Sequence, residues 1–417
     1  MHHFQYHNNM LYCEELPMTE VAGQWQTPTY VYSHATLKRH FETFDSSFAD
    51  LSHLTCFSVK VNSNLAIINL FSKWGAGMDI VSGGELFRAL RAGVDPEKIV
   101  YSGVGKTPNE IVYALEAGIL MFNVESEQEL AVINKLAGKV GVKAHIALRV
   151  NPDVDPMTHP YISTGMKKNK FGLDVDTALE NYRMTRRLSN IEVVGLDCHI
   201  GSQLTELTPF RDALQRVKAL AFRLKDEGFN IRYLDMGGGL GITYDQEEPP
   251  EPAEYAKVFV DELKDLDCTL ILEPGRVITG NAGVLLTRVL YVKKGSTKNF
   301  FIVDAGMNDL IRPSLYGSFH RIVPVAKSEG QDEVTVDVVG PICESGDFLA
   351  RDRTMPVAQT DDLLAVMSAG AYGFPMASNY NSRCRAAEVL VKGDKGYLIR
   401  AREDYDDLIR GEVIPEL

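Results

Sequence analysis

Apolar and polar positions change period repeatedly along the chain. Short apolar runs at Leu54–Val59, Met78–Val81, Ile99–Ser102, Leu120–Val124, Val142–Val150, Ile191–His199, Ile231–Met236 and Thr269–Leu272 have the length and composition of buried strands. Between most of them, apolar residues recur three and four apart, which predicts helices over Gly84–Ala92, Pro108–Ala117, Glu127–Leu136, Pro209–Glu227 and Pro252–Lys264. Strand, helix and crossover in alternation predict an α/β fold, a (β/α)8 TIM-type barrel, with a doubly wound open sheet as the alternative of equal periodicity. Past Arg276 the helical spacing fades. Val284–Val292, Phe300–Val303, Val334–Val339, Leu363–Met367, Val389–Val391 and Gly396–Ile399 are short runs between turn residues. They predict a β-rich second domain. The barrel is expected over residues 35–276. The β-rich domain is expected over 277–417 together with 1–34, because Thr29–Tyr32 reads as a strand ahead of the first barrel helix.

Bulk properties narrow the partners. The chain has 417 residues and a formal net charge of -13, which argues against nucleic acid or an anionic membrane as the main partner. Its amino terminus lacks a signal-peptide core, and no apolar run is long enough to span a bilayer. The six cysteines are scattered without metal-ligand or disulfide spacing, so neither a metal nor a disulfide framework is expected. Reduced thiols and a cytoplasmic location follow.

Candidate chemistry gathers at the carboxyl ends of the strands, where barrels of this kind carry their active sites. In order these ends supply Lys60, Asp79, Ser102, Asn123 with Glu125, Arg149 with Asn151, His199, Gly237-Gly238-Gly239, and Glu273-Pro274-Gly275-Arg276. A lysine with an apolar wall behind it favours the neutral amine, which can form a Schiff base with an aldehyde. Glycines after a strand let backbone N–H groups close around an anion, and Gly275 and Arg276 on the next loop add an N–H and a cation. His199 can stack on a flat ligand, and Ser202 can donate to a phosphate. A carboxylate at Glu273 would be costly to bury without a partner such as a protonated pyridine nitrogen. Taken singly, each has a structural explanation: a solvated lysine opening a helix, a glycine turn, a core histidine, an internal ion pair. Together they describe a site for pyridoxal 5′-phosphate (PLP).

Several stretches carry a family resemblance. In the barrel part they are Ser58-Val59-Lys60-Val61-Asn62-Ser63-Asn64, Asp79 to Leu86, Ile162-Ser163-Thr164-Gly165 with Lys170-Phe171-Gly172, His199-Ile200-Gly201-Ser202, the glycine triplet and Glu273 to Arg276. In the second domain they are Arg312-Pro313-Ser314-Leu315-Tyr316, Cys343-Glu344-Ser345-Gly346-Asp347 and Gly370-Ala371-Tyr372-Gly373. Over nearly its whole length the chain resembles the fold type III PLP-dependent decarboxylases, which join an alanine-racemase-like barrel to a β domain. Within the family it is most similar to the members that convert meso-2,6-diaminopimelate to L-lysine and CO2, the last step of lysine biosynthesis. Relatives acting on other basic amino acids or on carboxynorspermidine in polyamine metabolism are the alternative. The one departure is valine on both sides of Lys60, where alanine is more usual.

The resemblance implies roles. Lys60, His199 and Cys343 form the catalytic set, with Cys343 as proton donor. Lys60, Asp79, His199, Ser202, Gly237, Gly238, Gly239, Glu273, Gly275, Arg276 and Tyr372 hold the cofactor. Arg276, Arg312 and Tyr316 suit a distal carboxylate, Glu344 the distal amine, and Tyr372 reaches both cofactor and substrate. It also implies a homodimer with shared active sites.

Overall fold

A computed structural model describes residues 2–155, 170–328 and 330–417. The chain forms two compact units. One comprises Met1–Arg39, Tyr244–Gln246 and Ile278–Leu417, the other His40–Thr243 and Glu247–Val277.

The first unit opens with a three-stranded antiparallel sheet, β1 (Phe4–His7), β2 (Met10–Cys13) and β3 (Leu16–Pro17). These short strands carry too few residues to show a period in the sequence. Next comes β4 (Thr29–Ser33), every residue of which is buried.

The second unit is a closed parallel barrel. Its strands are β5 (His53–Ser58), β6 (Gly77–Ile80), β7 (Ile99–Tyr101), β8 (Met121–Val124), β9 (Ala144–Arg149), β10 (Ile191–Asp197), β11 (Tyr233–Asp235) and β12 (Thr269–Leu272), with β12 pairing β5 to close the ring. The open-sheet alternative is thereby excluded. Cys56, Val100, Met121, Ala147, Val194 and Ile271 fill part of its interior. Several of its helices begin or end on standard local signals. Pro108–Ala117 starts with a Thr107/Glu110 capping box and stops at Gly118 with φ 69°. Strand ends fall short of the sequence expectation where side chains turn to capping: Ser82 caps the helix Gly83–Arg91, so β6 stops at Ile80. The helix Val175–Thr185 has no counterpart in the sequence reading. Its polar run hides the buried Ala178, Leu179 and Tyr182, and Asp174 caps it through the Thr177 amide at 3.1 Å.

The rest of the first unit contains β13 (Gly283–Lys294), β14 (Asn299–Val303), β15 (Ile322–Pro324), β16 (Glu333–Val339), β17 (Phe348–Pro356), β18 (Leu363–Val366), β19 (Ala387–Lys392) and β20 (Lys395–Arg400). They form a nine-stranded sheet in which β4 lies between β13 and β19. Strand β17 was not legible because Arg351-Asp352-Arg353 interrupts its apolar positions.

Candidate active site

The barrel unit brings its strand-end residues together around a group of buried carboxyls. Strand β5 ends at Ser58, and Val59–Val61 turn as one 3-10 segment, so Lys60 sits on that turn and not on the strand. Asn64 caps the following helix through the Ala66 amide at 2.9 Å. The Lys60 Nζ donates to Asp79 Oδ2 at 2.5 Å, and the Ser58 hydroxyl donates to the same oxygen at 2.9 Å. The amine is thus paired with a carboxylate, where the sequence reading expected desolvation to favour the neutral amine. The apolar wall does exist beneath it: Val59 and Val61 are fully buried. A Cβ on Gly275 would lie 2.5 Å from Val61 Cγ1, so the branched neighbour of Lys60 requires glycine there.

Glu273 follows β12 and is buried, with Ser102 Oγ donating to its Oε1 at 3.3 Å. Burial, then repulsion from Asp235 and Asp79, pushes its carboxyl well above the usual range. Asp235 rises to about 6, chiefly through desolvation. Asp197 rises through burial and the neighbouring Asp235. The group is cross-linked by Asn123, whose Nδ2 donates to Asp235 Oδ2 at 3.0 Å and to Ser102 Oγ at 3.1 Å. Arg149 pairs with Glu125 at 2.8 Å and stands 3.9 Å from Asp197. Among the described residues, Asp79 Oδ1, Asp197 Oδ1 and Asn123 Oδ1 are buried without a hydrogen-bond partner. Among the described residues, the buried carboxyls Asp79, Glu125, Asp197, Asp235 and Glu273 gather with Lys60 and Arg149. Such a site suits a ligand that brings a cationic ring nitrogen.

His199 follows β10. Burial, then Arg149 and Lys60, holds its ring well below the usual histidine range, so the imidazole is neutral. Its Nδ1 accepts from the Gly238 amide at 3.2 Å. The Gly237 amide donates to Asp235 Oδ1 at 3.0 Å. Two of the three glycine amides thus have acceptors inside the barrel. A Cβ at Gly237 would stand 2.4 Å from His199 Nδ1, and one at Gly238 would stand 2.2 Å from the Glu273 carbonyl oxygen. The triplet lets strand ends close up, and at Gly239, with φ 117°, a Cβ would stand 2.7 Å from the Gly201 carbonyl oxygen. Arg276, buried at the end of the β12 loop, donates through Nη2 to Ser202 Oγ at 3.0 Å. A guanidinium and a hydroxyl joined in this way form a polar clamp for an anionic group such as phosphate.

In the other unit, Arg312 opens the short helix Arg312–Tyr316. Its guanidinium carbon lies 5.1 Å from the Tyr244 ring centroid and 5.9 Å from that of Tyr316. Cys343 and Glu344 lie exposed on the loop before β17. The Cys343 amide donates to Asn381 Oδ1 at 2.6 Å. Asp347 anchors the loop, accepting from the Met307 and Ile342 amides, each at 2.7 Å. By contrast Cys56 and Cys198 are buried, and burial raises both thiols. Tyr372 adopts φ 56°, a strained conformation for a tyrosine and one that favours a functional role.

Ile162-Ser163-Thr164-Gly165 lies outside the described residues. Sequence reasoning missed Asp197 and Asp235. Their adjacency to Cys198-His199 and to the glycine triplet was the available signal. Tyr244 and His320, neither near a strand-end motif, had none.

Residues 34–280 match the family described as "Pyridoxal-dependent decarboxylase, pyridoxal binding domain". The chain is 54% identical to the diaminopimelate decarboxylase of Vibrio cholerae, covering 100% of both chains. It is 52% identical to that of Haemophilus influenzae, over 98% of each. A crystal structure of diaminopimelate decarboxylase from Helicobacter pylori complexed with L-lysine superposes with a TM-score of 0.91 at 44% identity, over 94% of this chain and 98% of that one. Among the described residues no helix is long and apolar enough to cross a membrane.

Proposed function

The chain belongs to the pyridoxal-dependent decarboxylases, and within them to the diaminopimelate decarboxylases; on that premise we infer that it decarboxylates meso-2,6-diaminopimelate to L-lysine and CO2 with pyridoxal 5′-phosphate as cofactor. The polyamine-type alternative is not favoured, because full-length relatives at about half identity carry the diaminopimelate activity in their names. The observation that carries the reading is the Lys60 amine on Asp79 at 2.5 Å, within the same barrel mouth as the desolvated Glu273 carboxyl.

When bound, the cofactor supplies an electron sink for the pair left behind as CO2 departs. Lys60 supplies the amine that anchors its aldehyde. Glu273 offers a carboxyl whose charged form a cationic ring nitrogen would stabilise, which keeps that nitrogen protonated. The neutral His199 ring offers a face for the pyridine to stack on. Ser202, Gly239, Gly275 and Arg276 would receive the phosphate, while Gly237 and Gly238 shape the adjoining turn through their bonds to Asp235 and His199. Tyr372 would complete the phosphate and substrate contacts. Cys343 delivers the proton that replaces the lost carboxylate. Arg276, Arg312 and Tyr316 receive the distal carboxylate and Glu344 the distal amine, so the site asks for an amino-acid head at the far end of the substrate.

Cys343 and Glu344 belong to the β-rich unit. We assign them to the barrel mouth of a partner chain in a two-fold homodimer with shared sites. A biosynthetic role on a free amino acid places the enzyme in the cytoplasm. The test is product analysis with the meso, LL and DD stereoisomers of diaminopimelate and with ornithine and carboxynorspermidine. Lysine should form from the meso isomer. Turnover of ornithine or carboxynorspermidine with none of the meso isomer would overturn the reading.

A further inference from the structure

An arginine receives a carboxylate well only if its planar fork is aimed, and its long side chain has many rotamers to lose. Arg312 sits on a helix of five residues, which by itself fixes little of that side chain. Its Nε donates to His320 Nε2 at 3.3 Å, and its Nη2 donates to Ser318 Oγ at 3.3 Å. The other imidazole nitrogen, Nδ1, bonds the Met367 carbonyl at 2.9 Å. A guanidinium can only donate and a carbonyl can only accept. The two partners therefore define the tautomer: His320 is neutral, with its proton on Nδ1 and its lone pair on Nε2.

His320 is itself immobilised. It is fully buried, and the Tyr244 ring meets it edge-on at 5.3 Å. Its carbonyl accepts from Arg353 Nη1 at 3.1 Å, with Arg353 on β17. The Met367 amide, just past β18, donates to the Arg321 carbonyl at 2.8 Å. A rigid sheet thus grips the imidazole, and the imidazole grips the Nε side of the guanidinium. A carboxylate would be received on the opposite Nη1–Nη2 end.

We propose that His320 is a positioning residue that sets substrate specificity by aiming Arg312 at the distal carboxylate. The proposal rests on the functional reading above, since it gives Arg312 that ligand. Two substitutions separate aiming from packing. In His320→Gln the amide oxygen can occupy the place of Nε2 and still accept from Arg312. In His320→Asn the shorter amide can occupy the place of Nδ1, keeping the bond to Met367 but offering Arg312 nothing.

The experiment is steady-state kinetics on the holoenzyme with meso-diaminopimelate, with thermal melts of each variant. His320→Gln should keep KM within about twofold of wild type. His320→Asn should raise KM roughly tenfold, the scale of one misplaced charge-assisted bond, with kcat within about twofold. In an Arg312→Ala background His320→Asn should raise KM no further, because its target is gone. Equal KM values in the two variants would overturn the proposal, as would a loss confined to kcat or an undiminished effect in the Arg312→Ala background. Should His320→Asn fail to fold, a raised KM in folded His320→Gln overturns it as well, and a retained KM supports it. A wild-type enzyme that makes no lysine from the meso isomer overturns the functional reading and this proposal together, an outcome distinct from the variants failing to separate.

Discussion

Replacing Glu125 with glutamine isolates the charge that holds the mouth of β9. Glu125 Oε1 pairs with Arg149 at 2.8 Å, and Oε2 accepts from the Gly172 amide at 2.7 Å, 47 residues away. Both side chains of the ion pair are buried. The segment Gly172 begins is then clamped at β9 by Leu173 N–H to the Arg149 carbonyl at 2.8 Å and Asn151 N–H to the Leu173 carbonyl at 2.7 Å. Glutamine keeps the volume and the acceptor for Gly172 but leaves the guanidinium without its nearest counter-charge. Breaking one side of a buried pair costs about 3–5 kcal/mol. Asp197, 3.9 Å from Arg149, takes up part of the loss and puts the expectation at the low end, about 3 kcal/mol. For a unit of this size each kcal/mol moves the melting temperature by roughly 2–4 °C, so Glu125→Gln should melt roughly 6–12 °C lower. The assay is thermal denaturation followed by circular dichroism. The double variant Glu125→Gln/Arg149→Met should be less destabilised than the sum of the singles, since it removes the orphaned charge. A drop of less than about 2 °C in Glu125→Gln, or additive singles, would refute the ion-pair argument.

Three further outcomes follow from the same geometry. Lys60→Ala should fold but lose the yellow chromophore on dialysis, and a variant that keeps covalent cofactor and full turnover would remove Lys60 from its role. Mixing Lys60→Ala with Cys343→Ala should restore about a quarter of wild-type activity if sites are shared, since half the dimers are mixed and each of those has one intact site; no recovery at all would exclude sharing. Asp309 is buried, and desolvation raises its carboxyl to about 7 from the usual 3.8. The folded state therefore keeps a proton that the unfolded state releases, and relative stability falls as pH rises from about 4 to about 7. The melting advantage of Asp309→Asn over wild type should be larger at pH 8 than at pH 5, and equal differences at both would contradict the assignment.

Local pattern determined much of this protein. Burial of a strand or one face of a helix writes its period directly into neighbouring residues, so the eight barrel strands and most of their helices are visible in order. Lys60 and Glu273 were legible because each follows an apolar run, Arg276 because it lies on the short loop after Glu273, and Arg312 because its motif is carried whole in five residues. The helix Val175–Thr185 and the strand Phe348–Pro356 were not, since charged residues break their apolar spacing. Only the tertiary structure decided which charges meet. Asp79, Asp197, Asp235 and Glu273 come from four different strand ends, and barrel closure by β12 on β5 is what brings them face to face. The same holds for β4, which finds its place between β13 and β19 through pairing partners more than 250 residues away. His320 lies eight residues from Arg312, yet its orientation depends on the carbonyl of Met367. Hydrogen-bond direction and the shared desolvation of distant carboxyls are properties of positions in space, and no local spacing encodes them.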